Sequence, residues 1–123
     1  FWIKKINSFK DLIAWQRGIE LTTFIYKILG LFTKEKRFGL FNQISRSCTS
    51  IPANIGEGWA RDSNQSFIHF LKINYDSLYE LETQCFVAMD QRYINEVQFN
   101  AIFEVIQTCK RLLNGFINYY KKL

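Results

Sequence analysis

One proline and six glycines in 123 residues are too few for a fold built from tight turns, which argues against a turn-dense all-β architecture. Histidine occurs once, at His69, with serine rather than a carboxylate at position 66. A di-iron bundle site needs Glu-x-x-His pairs on two helices, so none is expected. Three cysteines (Cys48, Cys85 and Cys109) are odd in number, far apart and without a CxxC pair, as buried reduced thiols would be. A zinc site would need four suitable ligands close together, and these residues do not supply them. No run of 18 apolar residues is present, so no transmembrane span is expected. "IGEGWAR" has two glycines but no following Lys-Ser/Thr and no preceding strand, and so is not a phosphate-binding P-loop. The expectation is a protein with no catalytic residues, no metal and no cofactor.

What the chain does have is apolar bulk and positive charge. Hydrophobic residues make up 48% and aromatics 17%, with 12 Phe, 6 Tyr and 3 Trp. The length suits one domain, residues 1–123, with a single core. Net charge is +5, which favours polyanion partners because Lys and Arg contacts to phosphate supply most sequence-independent nucleic-acid affinity. The opening "FWIKKINSFKDL" does not read as a signal peptide, since Lys4 and Lys5 break its apolar run at once. A cytoplasmic protein without a membrane anchor is expected.

Apolar residues recur at helical spacing in four segments, about 8–32, 38–60, 63–89 and 95–121. The stripes read Leu12, Trp15, Ile19, Thr22, Tyr26 and Leu29; then Leu40, Ile44, Ser47/Cys48, Ile51, Ile55 and Trp59. Next come Phe67, Leu71, Asn74/Tyr75, Leu78, Leu81, Cys85 and Ala88. Last are Val97, Ile102, Val105/Ile106, Cys109, Leu112/Leu113, Phe116 and Tyr120. Ser8 is read as the first N-cap, and Asp62/Gln65 and Asn95/Gln98 as capping boxes of the third and fourth helices. Connectors around 33–37, 61–63 and 90–94 are short, which predicts an all-α, antiparallel up-down-up-down four-helix bundle.

The stretch "SIPANIGEGWAR" (50–61) holds a proline and two glycines, yet its polar residues keep helical register. Gln43, Arg46, Ser50, Asn54, Glu57 and Arg61 form one stripe beside the apolar one, as no loop would. Residues 38–60 therefore read as one helix, bent near Pro52, with the Cys48 carbonyl denied its usual partner. Gly56 and Gly58 each cost up to ~1 kcal/mol in a helix interior, a loss offset where a neighbour packs onto the bare backbone. Ser77, Glu80 and Gln84, with Asn74, supply a matching polar stripe on the third helix. A structural hydrogen-bond network between the stripes is expected, with Arg46 paired to Glu80 or Glu82.

"LIAWQRGIEL" (12–21), "FGLFNQISRSCTSIPANIGEGWAR" (38–61) and "FLKINYDSLYELETQC" (70–85) together resemble the bacterial four-helix-bundle proteins encoded in intervening sequences of 23S ribosomal RNA genes. A related branch comprises the accessory proteins of diversity-generating retroelements. The match spans about residues 10–120, and "SIPANIGEG" followed by "SLYELETQ" is its most specific part. The resemblance implies an antiparallel bundle assembled as a homopentamer. It also implies a non-catalytic role, binding RNA or DNA or a reverse transcriptase–RNA complex. Its recurrent polar positions fall here on Gln43, Arg46, Ser50, Asn54, Glu57, Gly58, Ser77, Glu80 and Gln84. Departures are Cys48-Thr49, where small apolar residues are commoner, and a 90–94 connector without glycine.

Candidate nucleic-acid contacts are Lys4 and Lys5 in the lead-in, Lys34, Lys36 and Arg37 in the first connector, and Lys110, Arg111, Lys121 and Lys122 on the last helix. Phe24, Phe32, Phe38, Phe41, Tyr79, Phe86, Phe99, Phe103 and Tyr119 are too many for one narrow core, so some are expected in a subunit interface. The reading is a homo-oligomeric scaffold or accessory protein that binds nucleic acid. The alternative is a protein–protein adaptor, for a reverse transcriptase among other partners, with incidental polyanion affinity.

Overall fold

The computed structural model describes residues 12–30, 39–61 and 63–123. These form four helices: α1 (Ile13–Leu29), α2 (Leu40–Trp59), α3 (Asn64–Asp90) and α4 (Glu96–Lys121). Each helix packs on its neighbour in sequence, and α4 returns to α1, closing a four-membered bundle. Paired residues run in opposite numerical order across each seam. Gly18 of α1 faces Ile51 and Pro52 while Thr22 reaches Cys48; Phe70 of α3 faces Gly58 while Asn74 reaches Ile51. Phe86 meets Phe99 while Phe67 meets Tyr120. Sequential helices are therefore antiparallel.

The ends of the helices follow from local chemistry. At α4 the Asn95 side chain accepts from the Gln98 backbone N–H at 2.8 Å, and the Gln98 side chain accepts from the Asn95 N–H at 2.9 Å. This reciprocal box occupies two of the amides a helix start leaves unpaired. At α3 the cap is Ser63, which accepts from the Ser66 N–H at 3.1 Å, one residue later than the sequence pattern suggests. Short hydroxyl side chains at 63 and 66 make this cap, Ser63 Oγ also lying 3.0 Å from Ser66 Oγ; Asp62, the expected partner of Gln65, lies outside the described residues. Helix α1 begins at Ile13, after an extended Leu12, rather than at Ser8, which also lies outside the described residues.

The end of α3 is closed without glycine. Arg92 takes φ 63°, and the Tyr93 and Arg92 amides bond to the carbonyls of Ala88 and Met89 at 2.8 and 2.9 Å. That is a Schellman turn, whose left-handed residue is ordinarily glycine. A Cβ in this conformation costs about 1 kcal/mol. Arg92→Gly is therefore expected to raise stability by up to about 1 kcal/mol, seen as a melting temperature a few degrees higher. An unchanged or lower value would mean that the arginine side chain offsets its backbone strain.

Helix α2 runs unbroken through Pro52. The carbonyl that Pro52 leaves unpaired is that of Cys48, and the Thr22 hydroxyl of α1 lies 2.9 Å from it and 2.8 Å from the Gly18 carbonyl. A donor from the neighbouring helix thus replaces the amide proline lacks. Six residues on, a Cβ at Gly58 would stand 2.7 Å from Phe70 Cβ, so only glycine admits α3 at this distance.

The core joins Ile44, Ile51 and Ile55 of α2 to Leu71, Leu78 and Leu81 of α3 and Ile106 and Leu113 of α4, all essentially removed from water. Each such side chain contributes about 1.5–3 kcal/mol of transfer free energy. The third helix buries its expected stripe. The first does not: α1 buries Ala14, Gly18, Leu21, Ile25, Ile28 and Leu29, leaving Ile19 and Tyr26 39% and 46% exposed. The bare backbone at Gly18 lets α1 lie close on Ile51 and Pro52 of α2, which leaves Ile19 outward and Trp15 half-buried at the edge of the core. On α4, Val97 is 78% exposed, while Ile117 joins the core.

Candidate nucleic-acid interface

The antiparallel order fixes which charges share an end. Phe67, near the start of α3, meets Tyr120, near the end of α4, at 4.9 Å between ring centroids. Arg61, just past α2, has its guanidinium 5.2 Å above the Phe70 ring. Arg61, Lys121 and Lys122 therefore come to one end of the bundle, and all three are exposed. Arg61 holds an exposed ion pair with Glu57 at 3.2 Å. Asp90 and Glu96 stand at the opposite end, where α3 stops and α4 starts. Arg111 is exposed on the flank of α4 and donates to the Thr108 hydroxyl at 3.1 Å. Arg61 is the cation that a search for lysine clusters misses. Its signal is topological: in an up-down bundle the second and fourth helices finish at the same end.

Lys110 is a correction. Its side chain is 8% exposed, with Nζ 3.3 Å from Glu82 Oε1 and 3.6 Å from the centroid of the Tyr79 ring. Gln107 donates to the same carboxylate oxygen at 2.9 Å. An ammonium held between a carboxylate and a ring face is not available to phosphate. Lys4, Lys5, Lys34, Lys36 and Arg37 lie outside the described residues, as do Phe32 and Phe38.

The polar stripe is also arranged differently from the expected network. Among the described residues no hydrogen bond joins Gln43, Arg46, Ser50, Asn54 or Glu57 of α2 to Ser77 or Glu80 of α3. Ser50 and Ser77 donate to carbonyls of their own helices, Ser47 and Ile73, at 2.8 and 3.0 Å. Gln84 donates to Glu80 at 3.3 Å within α3. Arg46 has no acidic partner among the described residues, because Glu82 is turned toward Lys110 on the other flank of α3. One side chain does link the helices: Asn74, fully buried, donates from Nδ2 to the Ile51 carbonyl at 2.7 Å. Gln43, Arg46 and Glu57 are exposed and Asn54 is half-buried, so the stripe is presented outward.

Two apolar seams lie on opposite sides of the bundle. Between α1 and α2, Trp15, Ile19, Pro52 and Ala53 line one groove. Between α3 and α4, Phe86, Val87, Phe99 and Phe103 line the other, with Phe86 54% exposed. Phe24 and Phe41 are half-buried, and Tyr79 and Tyr119 are exposed.

The thiols belong to the core. Cys48, Cys85 and Cys109 are at most 3% exposed, and burial pushes their pKa values up to about 11, 12 and 11. They stay protonated at neutral pH, the opposite of an activated nucleophile. Among the described residues no group of three His, Cys, Asp or Glu side chains could hold a metal ion. No described helix is long and apolar enough to cross a membrane.

Comparison with known proteins agrees with the fold and the motifs. No curated protein matches the chain. A crystal structure of a protein of unknown function from the S23 ribosomal protein family of Bacteroides thetaiotaomicron superposes with a TM-score of 0.79 at 28% identity. The match covers 85% of this chain and 97% of the other. The profile of the 23S rRNA-intervening sequence proteins matches residues 10–115, which include every helix except the last turns of α4. This chain belongs to the 23S rRNA-intervening sequence protein family.

Proposed function

We propose that this protein is a non-catalytic, homo-oligomeric scaffold or accessory protein that binds nucleic acid. The observation that carries the reading is the gathering of exposed Arg61, Lys121 and Lys122 at one end of the bundle. A basic surface of this kind attracts phosphate whatever the base sequence, with affinity that falls as salt rises. The opposed apolar seams support self-association. A groove on one flank and a different apolar surface on the other make a head-to-tail contact, which closes into a ring when the rotation permits. The family resemblance argues for five subunits, and each basic end would then be repeated around the ring. The exposed Phe86 and Val87 also favour the second reading, an adaptor that docks a protein such as a reverse transcriptase.

Absolute mass in solution, measured by light scattering with and without a short RNA at low and moderate salt, tests this. A pentamer that gains RNA mass and sheds it as salt rises is the expected result. Reversing Lys121 and Lys122 to Glu should weaken binding and flatten its salt dependence, while Lys110→Met should leave both unchanged. A pentamer indifferent to RNA would favour the adaptor. A monomer would count against the use of both seams.

A further inference from the structure

The basic end also contains a cavity. It has a volume of about 280 Å³ and is lined by Trp59, Arg61, Ser63, Asn64, Phe67 and Tyr120. Phe67 is buried and forms its floor, with Trp59 edge-on to it at 5.8 Å and Tyr120 edge-on at 4.9 Å. Trp59 and Tyr120 are only half-buried, so ring surface from both is open to a ligand. Asn64 brings an amide group to the rim and Arg61 a guanidinium, while the Ser63 hydroxyl there is engaged with Ser66 as the α3 cap. The size is just below the ~300–1,000 Å³ of sites for drug-sized ligands, so it suits one ring system rather than a base pair.

Aromatic walls, a few hydrogen-bonding groups and a positive rim are complementary to a planar ring that carries an anion. We propose that this cavity takes one unpaired base of a single-stranded nucleic acid, stacked on Trp59, with an adjoining phosphate at Arg61. The assignment rests on the nucleic-acid reading above and narrows it to single strands. A base has a ring face whatever its identity, so stacking here is tolerant of sequence. The exposed Arg61–Glu57 ion pair and the contact to the Phe70 ring at 5.2 Å are both weak holds on the guanidinium, which an adjoining phosphate can compete for. Lys121 and Lys122, next along the chain from Tyr120, extend the positive surface for neighbouring phosphates.

The test compares a fluorescein-labelled oligouridylate with an RNA duplex of equal length, by anisotropy, using the full chain. The oligouridylate is expected to bind about tenfold more tightly than the duplex, and Trp59→Leu to abolish that preference while leaving duplex binding unchanged. Trp59→Phe keeps a ring and the contact to Phe67, and should retain most of the preference. A 2-aminopurine base within a bound single strand should lose fluorescence on stacking. Equal binding of both RNAs, unaffected by Trp59→Leu, would overturn the cavity assignment but leave the nucleic-acid reading standing. No binding of either RNA would overturn both. If Trp59→Leu fails to fold by circular dichroism, Trp59→Phe and the 2-aminopurine signal decide: a bound strand whose probe stays bright overturns the assignment.

Discussion

Glu82→Ala is expected to destabilise the protein by about 2–4 kcal/mol, with a fall in melting temperature on the order of 10 °C. The carboxylate accepts from Gln107 and from Lys110, whose side chain is 8% exposed. Removing it leaves the ammonium against the Tyr79 ring, 3.6 Å from the centroid, with no anion beside it. Breaking a buried pair by deleting one partner typically costs 3–5 kcal/mol. The lower range applies because Glu82 keeps 25% of its side-chain exposure and is partly screened. The double variant Glu82→Ala/Lys110→Met is expected to recover most of the loss, since an apolar side chain suits the same slot and no charge is stranded. Chemical denaturation of the four proteins in this cycle measures both effects. A Glu82→Ala change within about 0.5 kcal/mol of wild type would show that Lys110 reaches water as easily as an ordinary surface lysine.

Asn74→Asp is the second large effect, and it is expected to depend on pH. The Asn74 Nδ2 donates to the Ile51 carbonyl at 2.7 Å, and the residue has no exposed surface. Its Oδ1 has no hydrogen-bond partner, so an aspartate here would set acceptors against acceptors in a dry seam. Desolvation and the facing carbonyl both favour the protonated acid, and so the pKa in the folded state is raised above the unfolded value of about 3.9. The folded state then binds more protons than the unfolded one over that interval, and stability falls as pH rises. At pH 7 the loss is expected to be about 3–5 kcal/mol, with recovery as the pH is lowered toward about 4. Asn74→Leu also loses the hydrogen bond, but its loss should not vary with pH. Urea titrations of both variants across that range separate the two. A pH-independent Asn74→Asp would mean that water enters the seam.

Much of this architecture was legible along the chain. A helix that keeps polar and apolar residues in register across Pro52 and two glycines can be recognised because helical periodicity survives local poor formers. The reason those poor formers are tolerated lay on other elements. Thr22 on α1 serves the Cys48 carbonyl, and Phe70 on α3 occupies the place of the missing Gly58 side chain. The candidate interface was less legible than the fold. Lys110 and Lys121 are both lysines on α4, yet one is buried against Glu82 and the other is exposed at the end of the bundle. Spacing indicates the helical face, while the partner on that face depends on how the next helix is rotated.

The first helix marks the division most clearly. Its residues are apolar on more than one side, and periodicity pointed to Trp15, Ile19, Thr22 and Tyr26, whereas the buried face lies one residue earlier, on Ala14, Gly18, Leu21 and Ile25. Packing against α2 selected Ala14 and Gly18 for the inside and left Ile19 and Tyr26 exposed, with Trp15 half-buried at the edge of the core, because the bare backbone at Gly18 permits the closer approach. By itself the sequence determined four helices, most of the residues that α2, α3 and α4 bury, the α4 capping box and the family. These depend on periodicity and on contacts within a few residues. The tertiary structure decided the rotation of α1, the burial of Lys110, the single buried amide linking α2 to α3, and the meeting of Trp59, Arg61 and Tyr120 in one cavity. Those depend on distances between residues far apart in the chain, which no local pattern encodes.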